Sequence, residues 1–244
     1  MRKSNFTQLT ILSVFLVMIF QSPVFASKGF KGDPIAGGTW ESLGHNEGVS
    51  LFRKRLEESS IFAVRGDILI EKPVGVVAGA IYDHTRWTKW TDGLAYSKLL
   101  HQARDAKKIV YQAFDLPAVV KDRDVIYAFW IEPRGKGLLI EGRTLQEVTQ
   151  THPIQSVGVR ADLIVGRWIL TPKTPTTTLL RLEVLMNPKG WFPNWFVNIL
   201  QKRYPVTILT GLRKYLQESN VAPLSLPIEP MATTNTIPGP RSSE

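Results

Sequence analysis

Alternation of apolar and polar residues along successive short segments constrains the fold of this chain more than any other feature. Between residues 62 and 70, apolar side chains alternate with Arg65 and Asp67. A period of two is typical of a strand with one buried face and one face in water. Similar segments predict eight strands in all, at residues 48–56, 62–70, 95–101, 108–116, 124–132, 137–147, 159–171 and 180–186. Because breaks containing Gly, Pro or Asp separate most of them, the sequence predicts a strongly curved antiparallel sheet.

Two regions depart from the strand pattern and predict helices. Residues 73–91 begin at Pro73, a residue favoured in a first helical turn, and predict one or two short helices. Residues 193–219 predict a long amphipathic helix that Pro205 should kink. Its apolar stripe consists of Phe196, Leu200, Tyr204, Ile208, Leu212 and Leu216, widened by Ile199 and Leu209. We expect an α+β fold in which this helix covers the concave face of the sheet, and any gap between them would be an apolar cavity.

The first 26 residues predict a secretory signal peptide. Arg2 and Lys3 precede an apolar run of twelve residues, and small residues at positions 24 and 26 favour cleavage after Ala26. Twelve helical residues would span about 18 Å, less than the ~30 Å core of a membrane, which disfavours a membrane anchor. We therefore expect an exported protein, either periplasmic or secreted.

The rest of the chain predicts one domain between two flexible segments. Residues 27–39 are rich in Gly and Lys and predict a flexible leader. Residues 220–244 contain five prolines and no aromatic residue, and predict a disordered tail. Because no linker or internal repeat interrupts residues 40–219, we expect a single domain and a monomer.

Composition narrows the classes of partner. The 244 residues include no cysteine, which excludes a disulfide scaffold, a Cys-ligated metal and a thiol nucleophile. A formal net charge of +9 favours anionic partners, such as an acidic membrane surface or nucleic acid. Because export would remove the chain from the cytoplasm, we expect a transient membrane surface and no nucleic acid.

Three segments of the chain resemble one known family. They read VVKDRDVIYAFW (119–130), THPIQSVGVRADLIVGRWILTP (151–172) and NPKGWFPNWF (187–196). In this order and spacing they are similar to START domains, the steroidogenic-acute-regulatory-related lipid transfer family, and the resemblance covers residues 40–219. It implies a helix-grip fold, in which a curved antiparallel sheet wraps around a long C-terminal helix and encloses a lipid-sized cavity.

The sequence departs from that family at one position. In its cholesterol-binding members, a buried Arg six residues after the motif Arg helps to form a polar spot in the cavity. Here the motif residue is Arg123, and Phe129 stands six residues later. The resemblance therefore implies a more apolar pocket that lacks this charged partner for a sterol.

Candidate lining residues follow from what a lipid carrier requires. Burying an acyl chain involves about 0.8 kcal/mol per CH₂, or roughly 12 kcal/mol for sixteen carbons, whereas one hydrogen bond contributes about 1 kcal/mol. A carrier therefore needs an apolar cavity. Strand parity and the helix stripe nominate Val125, Tyr127, Phe129, Ile131, Leu180, Leu182, Val184, Leu200, Tyr204, Ile208 and Leu212. The alternative is that the same side chains fill a solid core.

Aromatic residues near the start of the predicted last helix suggest a membrane contact. Trp191, Phe192 and Trp195 stand close to Lys189, and Trp with a basic neighbour is typical of a membrane interface. The same residues also suit an aromatic plug in the core.

The sequence carries no signal for catalysis. The four histidines, at positions 45, 84, 101 and 152, show no metal-ligand spacing, and no hydrolase, phosphate-binding or zinc-protease motif occurs. The charged run from Asp122 to Asp124 predicts either a structural salt bridge at a strand start or a charge cluster at a pocket mouth. We expect no enzyme, no metal and no cofactor.

The expected function is an exported protein that holds one hydrophobic ligand in an apolar cavity and carries it between membranes. Two alternatives remain at this point. One is an enzyme on the same fold, of the cyclase or hydrolase kind, and the other is a binding module that senses a lipid.

Overall fold

A single antiparallel sheet forms the framework of the domain. The computed structural model describes residues 32–56, 61–102, 107–192 and 202–224. The strands in these segments are β1 (Glu41–Asn46), β2 (Val49–Arg55), β3 (Phe62–Ile70), β4 (Leu94–Gln102), β5 (Lys108–Phe114), β6 (Arg123–Arg134), β7 (Gly137–Arg143), β8 (Val159–Arg160), β9 (Asp162–Thr174) and β10 (Thr177–Asn187). Their order across the sheet is β1-β2-β3-β10-β9-β7-β6-β5-β4, and the short β8 pairs with β6 in parallel. The predicted antiparallel sheet is confirmed.

Four described helices accompany the sheet. They are α1 (Val74–Tyr82), a 3₁₀ helix (His84–Lys89), α2 (Gln146–Thr151) and α3 (Tyr204–Glu218). The first two confirm the prediction of short helices in residues 73–91. None of the helices in the described segments is both long and apolar enough to cross a membrane.

Four elements, β1, β7, β8 and α2, differ from the sequence-based prediction. Strand β1 is an edge strand with nearly all of its residues exposed, so it lacks the apolar alternation that reveals other strands. Strand β8 has only two residues, too few to show a period. The strand predicted at 137–147 ends at Arg143, because α2 begins three residues later.

Pro205 lies in the first turn of α3. At this position a helical N–H has no partner within the helix, so proline removes no hydrogen bond. Pro205 therefore stands at the start of the described helix. The predicted kink concerns how this helix joins the residues before 202, and so it stays a prediction. The earlier part of the predicted helix, residues 193–201, lies outside the described residues.

Helix α3 packs its apolar stripe against the concave face of the sheet. Its buried residues include Ile208, Leu209 and Leu212. Two glycines allow the close approach. A Cβ at Gly66 of β3 would lie 2.6 Å from Leu209 Cδ1, and a Cβ at Gly211 would overlap the backbone carbonyl of Trp90.

Both ends of the domain extend further than the predicted boundaries. In the described part of the predicted leader, Ile35 is 4% exposed and Asp33 forms a 2.8 Å ion pair with Arg167. In the predicted tail, the Leu224 N–H donates to Gly75 O at 2.8 Å, and Val221 packs against the main core. Ile35 before the predicted domain, and Val221 and Leu224 after it, thus pack against its apolar clusters, although most of their neighbours are exposed. The predicted signal peptide and residues 225–244 lie outside the described residues.

The close contact at Gly211 predicts an unusual mutational result. Gly211→Ala should favour the isolated helix by about 1 kcal/mol, yet lower the free energy of unfolding of the protein by about 1–3 kcal/mol, because the new methyl group meets the Trp90 carbonyl. Urea denaturation measures this. At exposed Thr207, substitution by Ala should change stability by no more than about 0.5 kcal/mol. Equal stability of Gly211→Ala and the unchanged protein would contradict the described packing.

Candidate functional site

A small cavity lies between the concave face of the sheet and the start of α3. Its volume is about 40 Å³. The lining residues are Trp87, Gln112, Phe114, Val125, Tyr127, Phe129, Gly142, Leu163, Gly166, Trp168, Leu182, Val184, Met186, Tyr204 and Ile208. The wall is therefore almost entirely apolar or aromatic.

Two glycines on neighbouring strands form the floor of the cavity. Gly142 of β7 pairs with Gly166 of β9, and the row continues to Phe129 on β6 and Val184 on β10. A Cβ at Gly142 would lie 3.0 Å from the ring of Tyr127. A Cβ at Gly166 would lie 3.1 Å from Leu163 Cδ2. Because the two central positions carry no side chain, Tyr127 and Leu163 lie directly on the backbone there.

Seven of the eleven nominated lining residues lie on this cavity. These are Val125, Tyr127, Phe129, Leu182, Val184, Tyr204 and Ile208. Leu180, Leu212 and Ile131 instead pack in the main core away from the cavity. Leu200 lies outside the described residues.

An aromatic cluster explains why the other inward residues miss the cavity. Trp87 packs against Trp168 at 5.6 Å and against Phe129 at 6.0 Å between ring centroids, and Trp90 lies 5.1 Å from Trp87. These rings fill the interior beyond the cavity. The side chains pack densely there, and the space left beside the start of α3 is about 40 Å³. A lipid-sized cavity stays a prediction.

Several lining residues were not nominated from the sequence. They are Trp87, Gln112, Phe114, Gly142, Leu163, Gly166, Trp168 and Met186. Gly142 and Gly166 could have been recognised from the sequence. Both lie within predicted strands, and a glycine within a strand often marks the close approach of another group. Trp87 carried none, because it reaches the cavity from a 3₁₀ helix.

Three lining side chains are polar, and all are uncharged. Tyr127 is 2% exposed, and its hydroxyl has no hydrogen-bond partner among the described residues. Burial raises the pKa of Tyr127, and it raises the pKa of the Tyr204 hydroxyl to about 12. Gln112 is 3% exposed and donates from Nε2 to Ser97 Oγ at 3.2 Å. The cavity therefore presents neutral hydrogen-bonding groups within an apolar wall.

Behind Gln112 lies a buried histidine. His84 is 1% exposed, and its Nδ1 lies 3.3 Å from Ser97 Oγ. Burial and the nearby Lys108 ammonium lower the pKa of His84 to about 4, against a smaller opposing effect of Asp83. His84 is therefore neutral at physiological pH.

Arg123 joins two loops at the open end of the sheet. Its guanidinium donates to Pro188 O at 2.8 Å, to Lys189 O at 2.9 Å, and to the carbonyls of Lys121 and Asp122. The Val159 N–H also donates to Asp122 O at 2.9 Å, which attaches a third loop. The three connections at residues 115–122, 152–158 and 188–192 thus meet around one buried cation.

The charged run at the start of β6 has a structural role. Asp124 is fully buried, pairs with Arg160, and accepts hydrogen bonds from Tyr111 Oη at 3.0 Å and Val157 N at 2.8 Å. Burial would raise the pKa of Asp124, but the hydrogen bonds from Arg160 and the Val157 N–H and the charge of Arg160 lower it by a larger amount. The structural interpretation of this run is therefore the correct one.

The same three loops expose a group of large apolar side chains. Val119, Val157 and Trp191 are 65%, 59% and 67% exposed. We call them the loop patch. Each comes from a different loop joined around Arg123, and Val119 and Trp191 follow the ends of β5 and β10 that carry the lining residues Phe114 and Met186.

The other nominated membrane-contact residues have different environments. Phe192 lies under the Arg123 guanidinium, 4.2 Å from its Cζ. Lys189 Nζ forms a 2.8 Å ion pair with Asp162. Trp195 lies outside the described residues. Within the described segments, no group of three His, Asp or Glu residues is arranged to hold a metal ion.

Comparison with known proteins connects this arrangement to one family. Residues 36–221 match the family model described as the START domain. An uncharacterized protein of Pseudomonas aeruginosa is 29% identical over 185 residues, which cover 76% of this chain and 90% of that protein.

Solved structures show the same fold. Human STARD10 superimposes with a TM-score of 0.66 at 19% identity, covering 73% of each chain. A protein of Xanthomonas axonopodis, described as a STAR-related lipid transfer protein, superimposes with a TM-score of 0.63 at 24% identity, covering 73% of this chain and 98% of that one.

The neutral His84 predicts a pH dependence of stability. Its pKa is about 4 in the folded protein and about 6.5 when unfolded, so the unfolded state binds more protons between these values. The free energy of unfolding should therefore fall by about 2 kcal/mol between pH 7 and pH 4.5 through this residue. Urea denaturation of the protein and of His84→Gln across this range isolates the effect. The variant should show a shallower decline, and parallel curves would disprove the assignment.

Proposed function

This chain belongs to the START domain family, and from that premise we propose that it binds one lipid or similar hydrophobic molecule between its sheet and helix α3. The observation that carries the proposal is the apolar cavity over the paired glycines Gly142 and Gly166. Its position, between a curved sheet and the last helix, is where a helix-grip fold has room for a ligand. The similar Xanthomonas protein is described as a lipid transfer protein, which also supports a lipid as the ligand.

The cavity must widen to hold such a ligand. Small-molecule sites typically measure about 300–1,000 Å³, whereas this cavity measures about 40 Å³. Four lining side chains, Phe114, Val184, Met186 and Tyr204, are only partly buried and mark the side on which the wall is thinnest. We propose that a ligand enters there and displaces the first turn of α3. Beyond that turn, Leu209 and Leu212 are fully buried and hold the helix to the sheet.

We propose that the loop patch contacts a membrane surface beside this entrance. Val119, Val157 and Trp191 project large apolar surfaces into water at the cavity end of the sheet. Exposed Lys121 adjoins them, and the net charge of the chain is +9. Apolar and aromatic side chains beside positive charge favour the interface of an anionic membrane. We therefore propose that the protein docks by this patch, takes up a lipid, and carries it through water to another membrane.

Localisation and assembly are further parts of the proposal. Export rests on the signal-peptide pattern of residues 1–26, which lie outside the described residues. We propose that the mature protein acts as a monomer in the periplasm or outside the cell.

Blocking the cavity should abolish ligand uptake. Val184 faces Gly166 across the strand pair, so Val184→Phe places a ring over the glycine floor. Binding of the apolar fluorophore 1,6-diphenylhexatriene should weaken at least tenfold, while overpacking lowers the free energy of unfolding by only about 1–3 kcal/mol. Leu179→Phe makes a comparable change on the other face of the same strand, and should bind like the unchanged protein. A folded Val184→Phe that binds the fluorophore normally would argue against this cavity as the site.

Removing the central aromatic residue of the loop patch should weaken membrane docking. Losing the burial of a Trp side chain costs about 1.5–3 kcal/mol, so Trp191→Ala should reduce partitioning onto phosphatidylglycerol vesicles by about tenfold or more. Vesicle sedimentation measures this. Leu69 is an exposed apolar residue near the end of β3 that lies away from the loop patch. Leu69→Ala should therefore leave vesicle partitioning unchanged. Equal partitioning of Trp191→Ala and the unchanged protein would exclude the patch.

A transfer assay separates carriage from sensing. The unchanged protein should accelerate movement of an uncharged fluorescent lipid between donor and acceptor vesicles, and Trp191→Ala should slow this movement. Firm ligand binding without any acceleration would support the alternative of a lipid-sensing module.

A further inference from the structure

The hydroxyl of Tyr127 is an unusual feature of an otherwise apolar cavity. Its ring packs between Phe129, at 6.1 Å between centroids, and the backbone of Gly142. The residue is 2% exposed, and its oxygen has no hydrogen-bond partner among the described residues. A buried hydroxyl without a partner is unfavourable, so native proteins seldom retain one unless another molecule satisfies it.

A second polar group lies on the same wall. Gln112 of β5 pairs with Val125 of β6, and Tyr127 follows two residues later on the same face. Such diagonal neighbours lie roughly 7–8 Å apart between Cα atoms, a distance that long side chains can bridge. The Gln112 amide donates to Ser97 Oγ, which orients it. Its carbonyl end is an acceptor, and the Tyr127 hydroxyl can both donate and accept.

The uncharged wall of the cavity disfavours a ligand group that carries a charge. The described residues that line the cavity include no Lys, Arg, Asp or Glu, and the nearby His84 is neutral. An ionised group moved into such surroundings would lose its hydration without gaining a counter-ion. A neutral hydroxyl, carbonyl or amide would instead satisfy the open hydrogen-bonding capacity of Tyr127.

From this geometry we infer that Tyr127 and Gln112 form a neutral polar anchor in the wall of the cavity. The ligand class is an amphiphile that enters with its uncharged polar end first, such as a long-chain alcohol, a sterol-like alcohol or a neutral amide. A charged headgroup would have to remain outside. This inference rests on the proposed lipid binding, because the anchor acts only on a molecule held in the cavity.

The experiment compares three competitors that share one chain length. Oleyl alcohol, 1-octadecene and oleyl phosphate each displace 1,6-diphenylhexatriene from the unchanged protein, from Tyr127→Phe and from Tyr96→Phe. One hydrogen bond of ordinary strength corresponds to about a three- to tenfold change in affinity. The alcohol should bind the unchanged protein about three- to tenfold more tightly than the alkene, and more tightly than the phosphate. Tyr127→Phe should lose this preference and still bind the fluorophore.

The control and a second measurement keep the test independent of folding. Tyr96 is 42% exposed on the other face of the sheet, so Tyr96→Phe should retain the preference for the alcohol. Because Tyr127→Phe removes only an unpaired buried hydroxyl, its ligand-free thermal midpoint should equal or exceed that of the unchanged protein. A clear fall in the midpoint would show that the hydroxyl already has a structural partner and would overturn the inference.

Failure of the inference and failure of the proposed function give different results. If the unchanged protein binds neither the fluorophore nor any competitor, lipid binding itself is wrong. If it binds the fluorophore but treats alcohol and alkene alike, the polar anchor is wrong and the cavity remains. Tighter binding of the phosphate than of the alcohol would show that the polar end stays at the mouth, and would also overturn the anchor.

Discussion

The close approach of helix α3 to the concave face of the sheet is the constraint on which the rest of the structure depends. A curved sheet must bury its concave face, and α3 is the longest amphipathic element described that covers it. Two glycines allow α3 to come this close: Gly66 of β3 lies beneath Leu209, and Gly211 of α3 lies against the Trp90 carbonyl, at the end of the 3₁₀ helix. The helix residues that border the cavity, Tyr204 and Ile208, lie in its first two turns.

The interior encloses both a solid core and a hollow because its side chains differ in size along the strands. At one end, Trp87 and Trp168 fill the space with ring contacts of 5–6 Å, which gives dense and rigid packing. At the other end, Gly142 and Gly166 contribute no side-chain volume. The Tyr127 hydroxyl, which has no hydrogen-bond partner among the described residues, belongs to the wall of this cavity.

Arg123 links the interior to the surface. Its guanidinium donates to carbonyls of two loops, and Asp122, its neighbour, binds a third through the Val159 N–H. These bonds fix the loops that carry the exposed Val119 and Trp191. Surface residues that are far apart in the sequence are thus presented together, at the same end of the sheet as the thin wall of the cavity. The proposed docking surface and the proposed ligand entrance therefore lie at the same end of the molecule.

The sequence by itself determined the strands, the apolar face of the last helix and the inward direction of Val125, Tyr127 and Phe129. Each of these follows from a local period, because backbone geometry dictates which side chains share a face. It did not reveal β1, since an edge strand exposed on both faces has no such period.

Only the tertiary structure decided which inward side chains meet the cavity. Ile131 and Leu180 have the correct parity, yet they lie in the solid half of the interior. Gly142 and Gly166 form the floor because β7 pairs with β9, although β8 stands between them in the chain. Whether the Tyr127 hydroxyl has a hydrogen-bond partner likewise depends on which side chains surround it in the folded domain. A local pattern determines which face of a strand a side chain lies on. The neighbours of that side chain depend on the strand order, which forms only when distant segments of the chain pack together.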